Sequence, residues 1–189
     1  MIKRLTTPPK SSLLNAQLND KKIHHQDTFT YTINAQNYAD MPASQVLMRL
    51  LENFLAQPPK RVTHLMRFRN FMVKTFGLRT SELGCPVSSF LISKEAKALF
   101  NNRFPVLDQR IDPDDLHAQV ILGANDKHLI FRSCVGVEKL GDASYCLSLG
   151  TKVHCLNAFG RFYMTVIDSV HQRYVGPKML KSAGDLLLK

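Results

Sequence analysis

Chemistry in this chain would have to come from seven histidines, four cysteines and a small number of charged residues set against apolar surroundings. His24-His25 is the only adjacent histidine pair. Neighbours on a regular element point in different directions, and no further ligand stands at metal-site spacing, so no metal site is expected. His154-Cys155 would suit a thiolate–imidazole nucleophile, but successive residues of a strand lie on opposite faces, which argues against that pair. Asp126, His128 and Arg132 fall near one turn. His128 and Arg132 share a strand parity opposite to Leu129 and Phe131, which directs them away from an apolar interior. His171 and Tyr174 lie on a helix near its end; they could reach a pocket, but edge residues are the preferred reading. No catalytic motif emerges, and no catalytic residue is assigned.

A lone arginine is more informative. Residues 61–76 read as a helix with Val62, Leu65, Met66, Met72, Val73 and Phe76 on one face, ended by Gly77. Arg69 lies within that apolar arc. Either its guanidinium reaches the rim while its methylenes cover apolar surface, or it points into a cavity, poised for a carboxylate or phosphate. Lys60, His64, Arg67 and Lys74 gather on the other face as a candidate surface for an anionic partner. Between Glu52 and Glu82 there is no acidic residue, and residues 1–80 carry 12 Lys/Arg against 4 Asp/Glu. The net charge of +10 is therefore concentrated in the first half. Nucleic acid or an anionic surface is one partner class this allows, although no nucleic-acid recognition motif is present.

The elements that must position these residues follow from periodicity. At 189 residues and 44% apolar content the chain suits one domain with a single core. No stretch approaches the roughly 18 to 20 apolar residues of a membrane span. With no export signal and no Cys-x-x-Cys pair, Cys85, Cys134, Cys146 and Cys155 read as reduced thiols of a cytoplasmic protein. Residues 1–23 are polar and read as a flexible arm. Residues 27–34 alternate as a first strand, with Phe29, Tyr31 and Ile33 on one side. A helix opens at Met41-Pro42-Ala43-Ser44, buries Leu47, Leu50, Leu51 and Phe54, and stops at Pro58-Pro59. After the second helix, 87–92 reads as a short strand and 94–100 as a short helix.

From Phe104 onward the pattern is a β-meander. Strands over 104–107, 116–122, 127–137 and 144–156 are joined by turns rich in Gly, Asn and Asp, so they must be antiparallel. Leu129, Phe131, Val135 and Val137 share one side, as do Tyr145, Leu147, Leu149, Val153 and Cys155. That face should be covered and the opposite face solvated. The last helix, 159–175, carries Phe159, Phe162, Tyr163, Val166, Ile167, Val170 and Tyr174 on one side, with Arg161, Thr165, Asp168 and Gln172 opposite. The apolar side is expected against the sheet. Gly176-Pro177 is expected to break or kink the helix and leave 182–189 as a tail.

One strand, two helices, a meander and a long last helix resemble the helix-grip fold of the START-like, or Bet v 1-like, superfamily (SRPBCC). More narrowly, the chain resembles the bacterial family of uncharacterised proteins DUF2867. The stretches that carry this are Gln26-Asp27-Thr28-Phe29, Leu65-Met66-Arg67-Phe68-Arg69-Asn70, Phe104-Pro105-Val106-Leu107, Gly123-Ala124-Asn125-Asp126-Lys127-His128 and Phe159-Gly160-Arg161-Phe162-Tyr163. The resemblance covers about residues 24–181. It implies an α+β fold, with a curved antiparallel sheet wrapped around a long C-terminal helix and two helices after the first strand. It also implies a pocket between sheet and helix for a hydrophobic or amphipathic small molecule. Arg69, Phe131, Val135, Tyr145, Leu147, Leu149, Phe162, Tyr163, Val166 and Val170 would line it. A cyclase- or hydrolase-type enzyme on the same fold is the alternative. No Gly-x-Gly-x-x-Gly stretch is present, so no nicotinamide cofactor, or any other, is expected.

Overall fold

Strand β2 (His25–Asn34) is the spine of the sheet, because its alternating β-branched and aromatic residues satisfy a pleated backbone with one apolar face. A computed structural model describes residues 1–56, 96 and 98–189. The other strands are β1 (Ile2–Leu5), β3 (Ala98–Phe100), β4 (Phe104–Val106), β5 (Asp108–Ile111), β6 (His117–Asn125), β7 (Leu129–Lys139) and β8 (Ser144–Cys155). Six of them form one sheet in the order β1-β2-β8-β7-β6-β5, with every pairing antiparallel. Strands β3 and β4 form a separate hairpin. This is the expected α+β architecture, with the meander β6–β7–β8 at its centre.

Three helices follow the described chain: α1 (Ala43–Ala56), α2 (Ala158–Val170) and α3 (Gly176–Asp185). α1 and α3 pack against each other over one face of the sheet. There Val46, Leu47, Leu50, Leu51 and Phe54 of α1 meet Phe29, Tyr31, Val120, Val135, Val137, Tyr145 and Leu147, with Met179, Leu180, Ala183 and Leu187 closing the core. The covered face is the one strand parity selects.

The start of α1 is held by a turn 71 residues away in sequence. Asp115, in the left-handed region at φ 49°, sits between β5 and β6. Its carbonyl accepts from the Ala43 N–H at 2.9 Å and its carboxylate accepts from the Ser44 N–H at 2.8 Å and the Ser44 hydroxyl at 2.5 Å. A carboxylate there satisfies orphan donors and faces the positive end of the helix dipole. Asp115→Ala is expected to cost about 1–2 kcal/mol in urea denaturation, and Asp115→Asn less, since it keeps an acceptor and tolerates positive φ.

Five expectations are corrected. The segment read as a short helix ends in strand β3, because Asn101 and Asn102 at φ 48° and 55° make the tight turn of a hairpin that pairs Phe100 with Phe104. Residues 1–23 are built onto the sheet: β1 pairs with β2, and Leu14 is fully buried with Ile121 and Cys134. The face expected to be solvated is thus partly covered by this arm, which also buries Gln119 and Lys152. Gly176-Pro177 does not break the last helix. His171–Val175 forms a π turn, in which the Gly176 N–H reaches back to the His171 carbonyl, and Pro177 then falls at the start of α3, where its missing N–H costs little. Residues 182–189 accordingly belong to the core, with Ala183 and Leu187 buried, rather than to a tail.

Candidate functional site

Register sets out the helix-facing side of the sheet row by row. Phe131, Val153 and His25 lie side by side on β7, β8 and β2; the next row is Ser133, Thr151 and Asp27; the one after is Val135, Leu149 and Phe29. A polar row therefore crosses this surface, with apolar neighbours on one side and, apart from His25, on the other. Ser133 and Thr151 are buried and their hydroxyls are hydrogen-bonded at 3.1 Å. The small cluster of Leu129, Val153, Cys155 and Met164, with Phe131 and Tyr163 against it, lies on one side of this row. The main core lies on the other.

Asp27 and His25 are 1% and 4% exposed, which is rare for such groups without partners. They occupy alternate positions of β2 and so share its face. The terminal helix supplies the partners. Asp27 Oδ2 accepts from His25 Nε2 at 3.1 Å and from His171 Nδ1 at 2.9 Å. His25 Nδ1 meets the Asp168 carboxylate, which also accepts from Gln172 Nε2 at 2.9 Å. Arg4 of β1 donates to the Gln172 amide oxygen. The two imidazole rings stand edge to face, 5.3 Å apart. Among the described residues, Asp27 Oδ1 is buried without a hydrogen-bond partner.

Both nitrogens of His25 face carboxylates, and both can donate only when the ring is charged. Burial opposes that charge, but the hydrogen bonds to Asp27 and Asp168 outweigh it and raise the His25 pKa. Burial likewise pushes Asp27 up, and the His171 and His25 hydrogen bonds overcome it, holding the carboxyl at about 2.

Why α2 presents Asp168 to the sheet follows from its first turn. The Asn157 side chain accepts from the Gly160 N–H at 3.0 Å, and a Cβ on Gly160 would run into the His128 carbonyl. That close approach fixes the rotation of the helix. Met164 turns inward, while Phe162, Val166 and Val170 are 63%, 55% and 40% exposed. The expected orientation is thus corrected: the helix turns Asp168 and Gln172 toward His25, with Tyr163 and Tyr174 of the apolar side still packed inward and Arg161 and Thr165 of the polar side exposed.

The residues expected to line a pocket divide into three groups. Val135, Tyr145 and Leu147 are packed in the main core, with Leu149 against it. Phe131 and Tyr163 border the smaller cluster beside the polar row. Phe162, Val166 and Val170 lie on the outer side of α2. Arg69, Lys60, His64, Arg67 and Lys74 fall outside the described residues. His128 is engaged with the Asn157 amide at 2.8 Å and the Phe159 ring, and Arg132 with the Phe131 carbonyl and Asn125 Oδ1, each at 2.8 Å. His154 bonds the Lys22 carbonyl at 2.7 Å and Cys155 is buried on the other face, in line with the parity argument.

Sequence reasoning missed the His25–Asp27–His171–Asp168 network. The alternation His25-x-Asp27 was a usable signal for the strand half. The helix half lies more than 140 positions away, and nothing in local spacing joins the two. A recess of about 50 Å³ lies on the opposite face of the sheet, under the arm, lined by Ser11, Ser12, Gln119, Cys134 and Ser148 among others. Burial raises the Cys134 thiol to about 11, so it is a packing residue rather than a nucleophile.

A six-stranded antiparallel sheet with a long helical run from 158 to 188 laid over one face defines a helix-grip protein of the α+β class. The family model described as "Protein of unknown function (DUF2867)" matches residues 21–178, and the chain belongs to that family. No curated protein matches it. A START superfamily protein from Mycobacterium smegmatis is similar at 10% identity and a TM-score of 0.28, over 86% of this chain and 89% of that one. No helix among the described residues is long and apolar enough to cross a membrane.

Proposed function

We propose that the protein binds an amphipathic small molecule between the sheet and the terminal helix, with its polar end at the Ser133–Thr151–Asp27 row. The observation that supports this most is the unpartnered, buried Asp27 Oδ1 in a polar row flanked by apolar clusters. A buried acceptor without a donor costs about 1–3 kcal/mol, which a ligand N–H or O–H would recover. Phe131, Val153, Met164 and Tyr163 supply apolar surface for the body of the ligand. The head group is a hydrogen-bond donor, an amine or an alcohol, because two carboxylates, Asp27 and Asp168, converge here around His25. Few polar groups placed in apolar surroundings is the usual composition of a small-molecule site.

The test uses dansyl-labelled alkylamines and the matching fatty acids, added to protein kept in chelator. Saturable fluorescence enhancement by the amines, weaker for the acids and lost in Asp27→Asn, is the expected result. Equal binding of amine and acid, or no saturable binding of either, rules the reading out.

A further inference from the structure

We infer that His25, Asp27 and His171 form a binding site for one divalent transition-metal ion, with Asp168 orienting His25 from behind. The three side chains each offer one ligand atom, and these atoms lie within 4.8 Å of one another. The separations to Asp27 Oδ2, 3.1 Å from His25 Nε2 and 2.9 Å from His171 Nδ1, are close to what an ion requires. A tetrahedral ion with bonds of about 2.0–2.1 Å holds its ligands about 3.3 Å apart, so these two separations need open by only a few tenths of an ångström, while the two imidazole nitrogens, within 4.8 Å of each other, close around the ion.

The donor set selects the ion class. Two imidazoles and one carboxylate suit zinc, iron, cobalt or nickel, whereas calcium and magnesium call for oxygen ligands throughout. Three protein ligands leave at least one coordination position for water or another small ligand, as in catalytic rather than structural zinc sites.

Two further observations point the same way. Metal-bound histidines almost always donate their second nitrogen to a carboxylate or carbonyl, and His25 Nδ1 meets Asp168, itself steadied by Gln172 and through it by Arg4. Asp27 is buried with Oδ1 unpartnered, an oxygen that a nearby cation would satisfy. The π turn adds context: it begins at His171, and such bulges recur at functional sites.

This inference does not rest on the small-molecule reading. Ion binding is measured without organic probe, and probe binding in chelator, so either can fail alone. Chelator-stripped protein is titrated with Zn²⁺ and, for its visible spectrum, Co²⁺, and metal content is measured after desalting. The expected result is one ion per chain, with a rise in Tm and Co²⁺ bands of a mixed nitrogen–oxygen set. Asp168→Asn should weaken binding about 10–100-fold. His171→Ala, at a partly exposed position, should weaken it more while circular dichroism shows a folded chain. His24→Ala, which changes the histidine whose ring lies tilted against His154 at 5.4 Å, should leave binding unaltered. Absence of stoichiometric metal in the wild type, wild-type affinity in folded His171→Ala, or loss of binding in His24→Ala would overturn the assignment.

Discussion

Asp27→Asn should lower stability by about 3–5 kcal/mol at pH 6, the largest loss expected for any single polar substitution here. The carboxylate is buried and is the acceptor for two imidazole N–H groups. An amide in its place leaves the His25 charge buried with Asp168 alone, and Asp168 is partly exposed. The pH profile of the wild type gives the same network a second reading. Asp27 is depressed from 3.8 to about 2, so its contribution is complete above 3.8 and is lost as pH falls through about 2. That loss amounts to about 2 kcal/mol. His25 is raised above 6.5, so its contribution is complete below 6.5 and disappears as pH rises through its folded value. Metal-free protein should therefore be most stable between about pH 4 and 6.5 and fall off on both sides. In Asp27→Asn the alkaline decline should flatten, because His25 has lost one of the two acceptors that hold its charge. Urea melts at half-unit pH steps check this. A wild-type profile that is level from pH 4 to 9 would contradict the charged assignment of His25.

Removing residues 182–189 should abolish cooperative unfolding at room temperature, and Leu187→Ala alone should cost about 2–5 kcal/mol. Leu187 and Leu180 are fully buried in the main core. The same segment carries Asp185, which accepts from the Tyr31 hydroxyl at 2.7 Å and from Lys181 at 2.6 Å. It also carries Gly184, where a Cβ would approach the Tyr31 ring and Leu147 within 3.0 Å. For a domain whose net stability is about 5–15 kcal/mol, losing these together consumes most of the margin. Thermal melts of the truncated chain and of Leu187→Ala provide the measurement; a truncated chain that melts cooperatively near the wild-type temperature would show that the segment contributes little.

The meander and its covered face were legible because period two survives any context: Leu129, Val135, Val137, Tyr145 and Leu147 all point where parity puts them. The helix α1 was legible for the same reason at period 3.6. The orientation of α2 was not, because Phe162, Val166 and Val170 form as good an apolar stripe as Met164 does, and the choice is made by Gly160 against a backbone carbonyl. Continuation through Gly176-Pro177 was illegible because a π turn leaves no signature in composition. The polar network was half visible: His25 and Asp27 share a strand face by spacing alone, but only tertiary structure delivers His171 and Asp168 to them.

The π turn has a consequence for the numbering of the chain itself. A π turn is in effect one extra residue wound into an α-helix, and each residue turns an α-helix by about 100°. Because the wide turn absorbs that residue, deleting a single position within 171–175 would let the helix run straight with everything after it close to its present facing. Forcing 171–175 into a regular α-helix with no deletion would instead rotate Leu180, Ala183 and Leu187 out of the core together, while Asp168 stayed beside His25. The helix thus behaves as two dials on one shaft: the first is set against the histidine network, the second against the core, and the wide turn holds them in phase.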